Sequence, residues 1–146
     1  MKSKFTIIKE EYNPETFESI VVINTNLGNF EGRTVADEID KKYPSVFNGN
    51  AIALSKALRK YAKAAIRQLK AELKSIKQII RFWARNNDYE PTELPFEKDL
   101  FMFRKNKADE IKLWETRVSA LDKSIQDRIA ARDRITKAYQ EKDKKN

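Results

Sequence analysis

Residues 51–85, AIALSKALRKYAKAAIRQLKAELKSIKQIIRFWAR, decide the architecture. No Pro or Gly interrupts them. Apolar residues fall at Ala62, Ile66, Leu69, Leu73, Ile76, Ile80 and Trp83, in alternating steps of four and three, and Leu58 and Ala65 widen the stripe. A seven-residue repeat of this kind marks a helix buried along one seam. At about 1.5 Å per residue the helix is roughly 50 Å long. The spacing predicts that Asn48-Gly49-Asn50 is a loop ending in an N-cap, and that the helix runs from there to about Arg85. So long a helix needs a helical partner.

That partner lies downstream. Ile111, Trp114, Val118, Leu121 and Ile125 repeat the same steps, predicting a second helix from about Asn106 to Glu141. Beyond Ile125 the pattern shifts to Ile129, Ile135 and Tyr139, with arginines where apolar residues are expected, which predicts a local change of supercoil. Between the helices, residues 86–103 form an acidic connector bounded by Pro91 and Pro95, with Phe96, Leu100, Phe101 and Phe103 making one or two docking turns.

Upstream, residues 4–35 read as β structure. Lys4–Glu10 carries Phe5, Ile7 and Ile8, and Ile20-Val21-Val22-Ile23 is a β-branched run with strand preference. Asn13-Pro14-Glu15 and Asn26-Leu27-Gly28-Asn29 supply turns, and Asn29–Val35 makes a third strand. Ala36–Tyr43 is expected as a short helix that Pro44 stops. The expected fold is α+β and mostly α: a small N-terminal antiparallel meander, then a long antiparallel two-helix hairpin. Residues 1–49 form the first domain and 50–146 the hairpin, connector 86–103 included. The helices' apolar rows still look half exposed after one hairpin forms, which predicts a homodimer or higher homo-oligomer.

Composition narrows the chemistry. The chain has no His and no Cys, so the commonest neutral-pH base, nucleophile dyads built on it, disulfides and thiolate metal sites are absent. Its three glycines make no phosphate loop. Carboxylate-only chemistry would have to sit at Asp88, Glu90, Glu93, Glu97 and Asp99, which read more simply as a solvated connector. The expectation is therefore a non-enzyme without cofactor or metal. No run of 18 apolar residues exists and the first residues lack a secretion pattern, so a cytoplasmic protein, away from membranes, is expected.

Charge carries the functional reading. The net charge is +8, yet residues 51–85 alone hold ten Lys/Arg against Glu72. Lys56, Lys60, Lys63, Arg67, Lys70, Lys74, Lys77, Arg81 and Arg85 form a stripe opposite the apolar one. Three readings fit it: a solvated face, attraction to phosphate on a nucleic acid or small nucleotide, or docking to an acidic protein. At its end, Arg81-Phe82-Trp83-Ala84-Arg85-Asn86 offers guanidinium, an aromatic plane and an amide, groups that stack a base and hold phosphate. The plainer reading is a helix C-terminus whose arginines favour the dipole and whose Asn86 or Asn87 caps it.

The stretch Thr25-Asn26-Leu27-Gly28-Asn29-Phe30-Glu31-Gly32-Arg33, followed by Asp37, Asp40, Phe47-Asn48-Gly49 and Ala53–Lys63, resembles small accessory proteins of phages of Gram-positive bacteria. The family it resembles is the phage anti-Thoeris sponge family. That resemblance implies sequestration of a cyclic ADP-ribose-type immune signal without cleavage, in a pocket of arginines and an aromatic near a protomer interface. Arg33 and Arg59 are the implied pocket positions, with Phe82 a looser match. The expected ligand residues are thus Arg33, Arg59, Arg81, Phe82, Arg85 and Asn86, and the expected partner a phosphate-bearing small molecule. An alternative is an inhibitor that binds a bacterial defence nuclease, directly or through its nucleic acid; another is a coiled-coil assembly protein.

Overall fold

The computed structural model describes residues 4–36, 46–86 and 97–145. Strands β1 (Phe5–Asn13), β2 (Glu18–Thr25) and β3 (Gly28–Val35) are followed by helices α1 (Val46–Asn86) and α2 (Glu97–Lys145). This is the α+β, mostly α plan: an antiparallel meander of order β1-β2-β3, then two long helices packed on each other. The chain divides into two compact units, one of residues 1–62 with 117–146 and one of residues 63–116.

In the first unit the meander is built by its turns. Asn13 closes the first: its Oδ1 accepts from the Glu15 and Thr16 amides at 2.9 and 3.3 Å. Phe17 takes φ 59° there, an unusual conformation for a non-glycine residue. Gly28, at φ 107°, makes the second turn. Alternation along β2 turns Ser19, Val21 and Ile23 inward, all nearly fully buried. Ile52, Ala53, Ala57 and Tyr61 of α1 are buried as well, and Gly49 of that helix comes up against Ser19. Contact is backbone-close, since a Cβ on Gly32 would stand 1.8 Å from the Ala53 carbonyl oxygen. Tyr61 stacks on Phe30 with ring centres 5.7 Å apart, and its hydroxyl donates to Asn26 Oδ1 at 2.6 Å. Burial pushes the Tyr61 pKa up, with the Arg117 charge pulling the other way.

α1 begins earlier than its sequence suggests. Asn48-Gly49-Asn50 lies inside the helix, not in a loop before it. Tertiary contacts override the local signals: Asn48 is buried, Gly49 leaves room only for Ser19 Oγ, and Asn50 Nδ2 donates to Glu10 at 3.1 Å. Further along the same unit, Arg59 pairs with Asp122 and Arg128 lies over the Phe47 ring at 5.3 Å. The partner number falls as the α1 number rises, so the helices run antiparallel. Past Ile125 the covered face of α2 slips by one residue from the strict repeat. Ile129 and Arg132 are half-buried and Thr136 is buried, while Ile135 and Tyr139 are exposed. A strict repeat would continue at 128, 132, 135 and 139; the covered row instead steps through 125, 129, 132 and 136, so the pattern does shift at Ile129, with Thr136 rather than Ile135 taking the buried place, which hydropathy alone does not reveal.

In the second unit the hairpin continues with Lys70 near Glu115 (4.0 Å) and Lys107 on Glu72 (2.7 Å). Leu69, Ile80, Ile111 and Trp114 are buried, and Ile66, Leu73 and Ile76 half-buried. The single hairpin thus covers the rows only in part, Ile66, Leu73 and Ile76 keeping some exposure as expected. α2 starts at Glu97, so Leu100, Phe101 and Phe103 belong to its continuous first turns and are not a separate docking piece. The expected helix at 36–43 and most of the acidic connector lie outside the described residues.

Candidate functional site

The basic stripe of α1 divides in two by what its cations touch. In the first unit they are engaged with the fold. Lys56 Nζ donates to the Arg33 carbonyl at 3.2 Å, Lys60 Nζ to the Glu31 carbonyl at 2.6 Å, and Arg59 pairs with Asp122. These roles left no sequence signal beyond charge, because a lysine that caps a strand reads like one that faces water.

In the second unit Lys63, Arg67, Lys70, Lys74, Lys77, Arg81 and Arg85 are all exposed. At 100° per residue they fall within a sector of about 80°, spread over roughly 33 Å. Lys70 has only Glu115, at 4.0 Å between two exposed side chains. The other six make no hydrogen bond or ion pair among the described residues. A row of like charges on one helix face is mutually repulsive, and nothing on α1 offsets it. An anion laid along it would relieve that repulsion.

Each residue expected to bind ligand has a definite place. Arg33, on β3, reaches Glu18 at 3.3 Å and Glu31 at 3.0 Å. Its hydrogen bond and charge hold the Glu31 carboxyl below its usual range, against some desolvation, and the same pairing raises the Arg33 pKa. Arg33 and Arg59 both belong to the first unit and both carry carboxylate partners. Arg81, Phe82, Arg85 and Asn86 belong to the second unit, on the last turns of α1. Arg81 and Arg85 are exposed on the row, and Phe82, 70% exposed, lies on an adjacent face. Asn86 is described only as a helical residue.

The second unit also holds an open groove of about 530 Å³ lined by Ala71, Ser75, Ile76 and Phe103, with Glu72 and Lys107. Its charges are spent internally: Lys107 bonds Glu72 and lies 5.4 Å from the Phe103 ring centre. It therefore offers no open cation to a phosphate. Of the acidic cluster, Asp88, Glu90 and Glu93 lie outside the described residues, as do the side chains of Glu97 and Asp99. Among the described residues no helix is long and apolar enough to cross a membrane. No family model, no curated protein and no solved structure matches the chain.

Proposed function

We propose that the chain is a non-catalytic binding protein that lays the phosphate backbone of a nucleic acid along the distal half of α1. The observation behind this is the row Lys63–Arg85, whose cations are exposed, aligned and, but for Lys70, without partners among the described residues. A convex helix face with no aromatic residue in its sector has no platform for stacking bases, whereas single-strand binders combine charge with such platforms. Contact through charge alone suits duplex backbone and gives affinity without sequence preference. Within a phage-type anti-defence role, this is the route by which such a protein would obstruct a defence nuclease through its nucleic acid.

A second reading rests on a separate observation. Arg81, Phe82 and Arg85 share one exposed turn, which is enough to hold a single nucleotide and so to sequester a cyclic ADP-ribose-like signal without cleaving it. Arg33 and Arg59 support that reading less, since each would have to leave a carboxylate.

One titration series separates the two. Fluorescent duplex, single-stranded oligonucleotide and a cyclic nucleotide are each titrated with wild type, with Lys74→Glu/Lys77→Glu, and with the α2 control Lys137→Glu. The duplex should bind best, lose at least tenfold with the row variant and little with the control. Its affinity should fall on a log–log salt plot with a slope of about −0.9 per phosphate neutralised. Binding of the cyclic nucleotide alone, abolished by Arg81→Glu, would replace the first reading with the second. Equal binding by all variants would return the row to solvation.

A further inference from the structure

The sheet has two outer strands, and they are finished differently. Along β3, Lys60 and Lys56 of α1 donate to the Glu31 and Arg33 carbonyls. Cations held along an edge strand are a standard way of blunting it against further pairing. β1 has no such cover among the described residues. Among the described residues nothing hydrogen-bonds to its backbone from the open side. Every β1 residue except Tyr12 is exposed, including Phe5 (39%), Ile7 (41%) and Ile8 (53%). Its first half, residues 5–8, is largely apolar, and an unpaired edge of that kind invites another strand.

We infer that β1 pairs antiparallel with β1 of a second copy of this chain, giving a six-stranded sheet of order β3-β2-β1-β1-β2-β3. The irregularity between Ile7 and Lys9 limits the register. Before it, Phe5 and Ile7 share the face of Thr25 and Ile23. After it, Glu10 and Tyr12 share the face of Val21 and Ser19, while Lys9 and Glu11 oppose Val22 and Ile20 on the other side. Setting Lys4 opposite Glu11 keeps each residue on its own face. Phe5 then meets Glu10, Thr6 meets Lys9, and Ile7 meets Ile8 at the centre.

Charge selects this register over its neighbours. A shift that sets Lys4 opposite Lys9 opposes like charges, and one that sets Lys4 opposite Asn13 leaves no ion pair across the strands. Two-fold symmetry repeats each pair, so two Lys4–Glu11 contacts flank four isoleucines. The pairing consumes both β1 edges. The edges left outside belong to the lysine-covered β3 strands, so growth stops at two.

Charge swapping tests this on the full chain by sedimentation equilibrium, with circular dichroism to confirm that each variant folds. Wild type should be a dimer. Lys4→Glu alone and Glu11→Lys alone should each weaken self-association by about tenfold. The double variant Lys4→Glu/Glu11→Lys should restore it, and an equimolar mixture of the two single variants should form heterodimers. A wild-type chain that remains monomeric, or a dimer indifferent to all of these changes, would overturn the inference. None of these substitutions touches the basic row, so the outcome is independent of phosphate binding.

Discussion

At the scale of single residues, Gly32 and Tyr61 determine how closely α1 can approach the sheet. Any side chain at position 32 meets helix backbone, which cannot yield as a flexible side chain would. Gly32→Ala should therefore cost about 3 kcal/mol or more in urea unfolding, through overpacking. Tyr61 fixes the other end of the contact. Its hydroxyl bond to Asn26 contributes about 1 kcal/mol, so Tyr61→Phe should lower stability by that amount. Because burial raises its pKa, the neutral hydroxyl stabilises the fold fully below the unfolded value of about 10. That contribution fades as pH rises through the higher folded value. In an alkaline ultraviolet titration, one of the five tyrosines should ionise late, and Tyr61→Phe should remove that step. Arg33 and Arg59 show what residue type alone cannot say. Arginine is a fair candidate for phosphate, but whether it is already held by a carboxylate depends on Glu18, Glu31 and Asp122, one of them 63 positions away in the chain.

At the scale of elements, the seven-residue spacing over 51–85 and 111–125 suffices to read both helices, because a buried seam imposes its period on sequence. Their ends are less legible. α1 extends through Asn48-Gly49-Asn50 because Ser19 and Glu10 receive it, and the covered face of α2 shifts to Ile129, Arg132 and Thr136, the last two marked by no hydropathy pattern. Leu69 is buried within the hairpin of a single chain. Leu69→Asp should thus strand a carboxylate there and lower far-ultraviolet helicity even in a monomeric sample. Helicity that drops only on dilution of the wild type, and not with this substitution, would place the residue in an interface between chains. The basic row belongs to this scale too: its alignment was readable from spacing, but not the fact that, among the described residues, the cations of its distal half other than Lys70 have no partner.

At the scale of the whole molecule, the two proposals place assembly and ligand binding on different parts of the chain, β1 for one and the distal half of α1 for the other. If the lysines close β3, their removal should change the copy number. Lys56→Ala/Lys60→Ala should convert a dimer into larger species in sedimentation velocity, whereas Lys74→Ala/Lys77→Ala should not. The sequence by itself determined the element order, the meander and the paired helices, since periods of two and of three and a half record which side of an element is buried. It also determined that positive charge concentrates on α1. Only the tertiary structure decided which cations stay open to a ligand and which strand edge stays open to a partner. Both depend on carboxylates and carbonyls brought near from distant positions, and a local pattern carries no trace of neighbours supplied by folding.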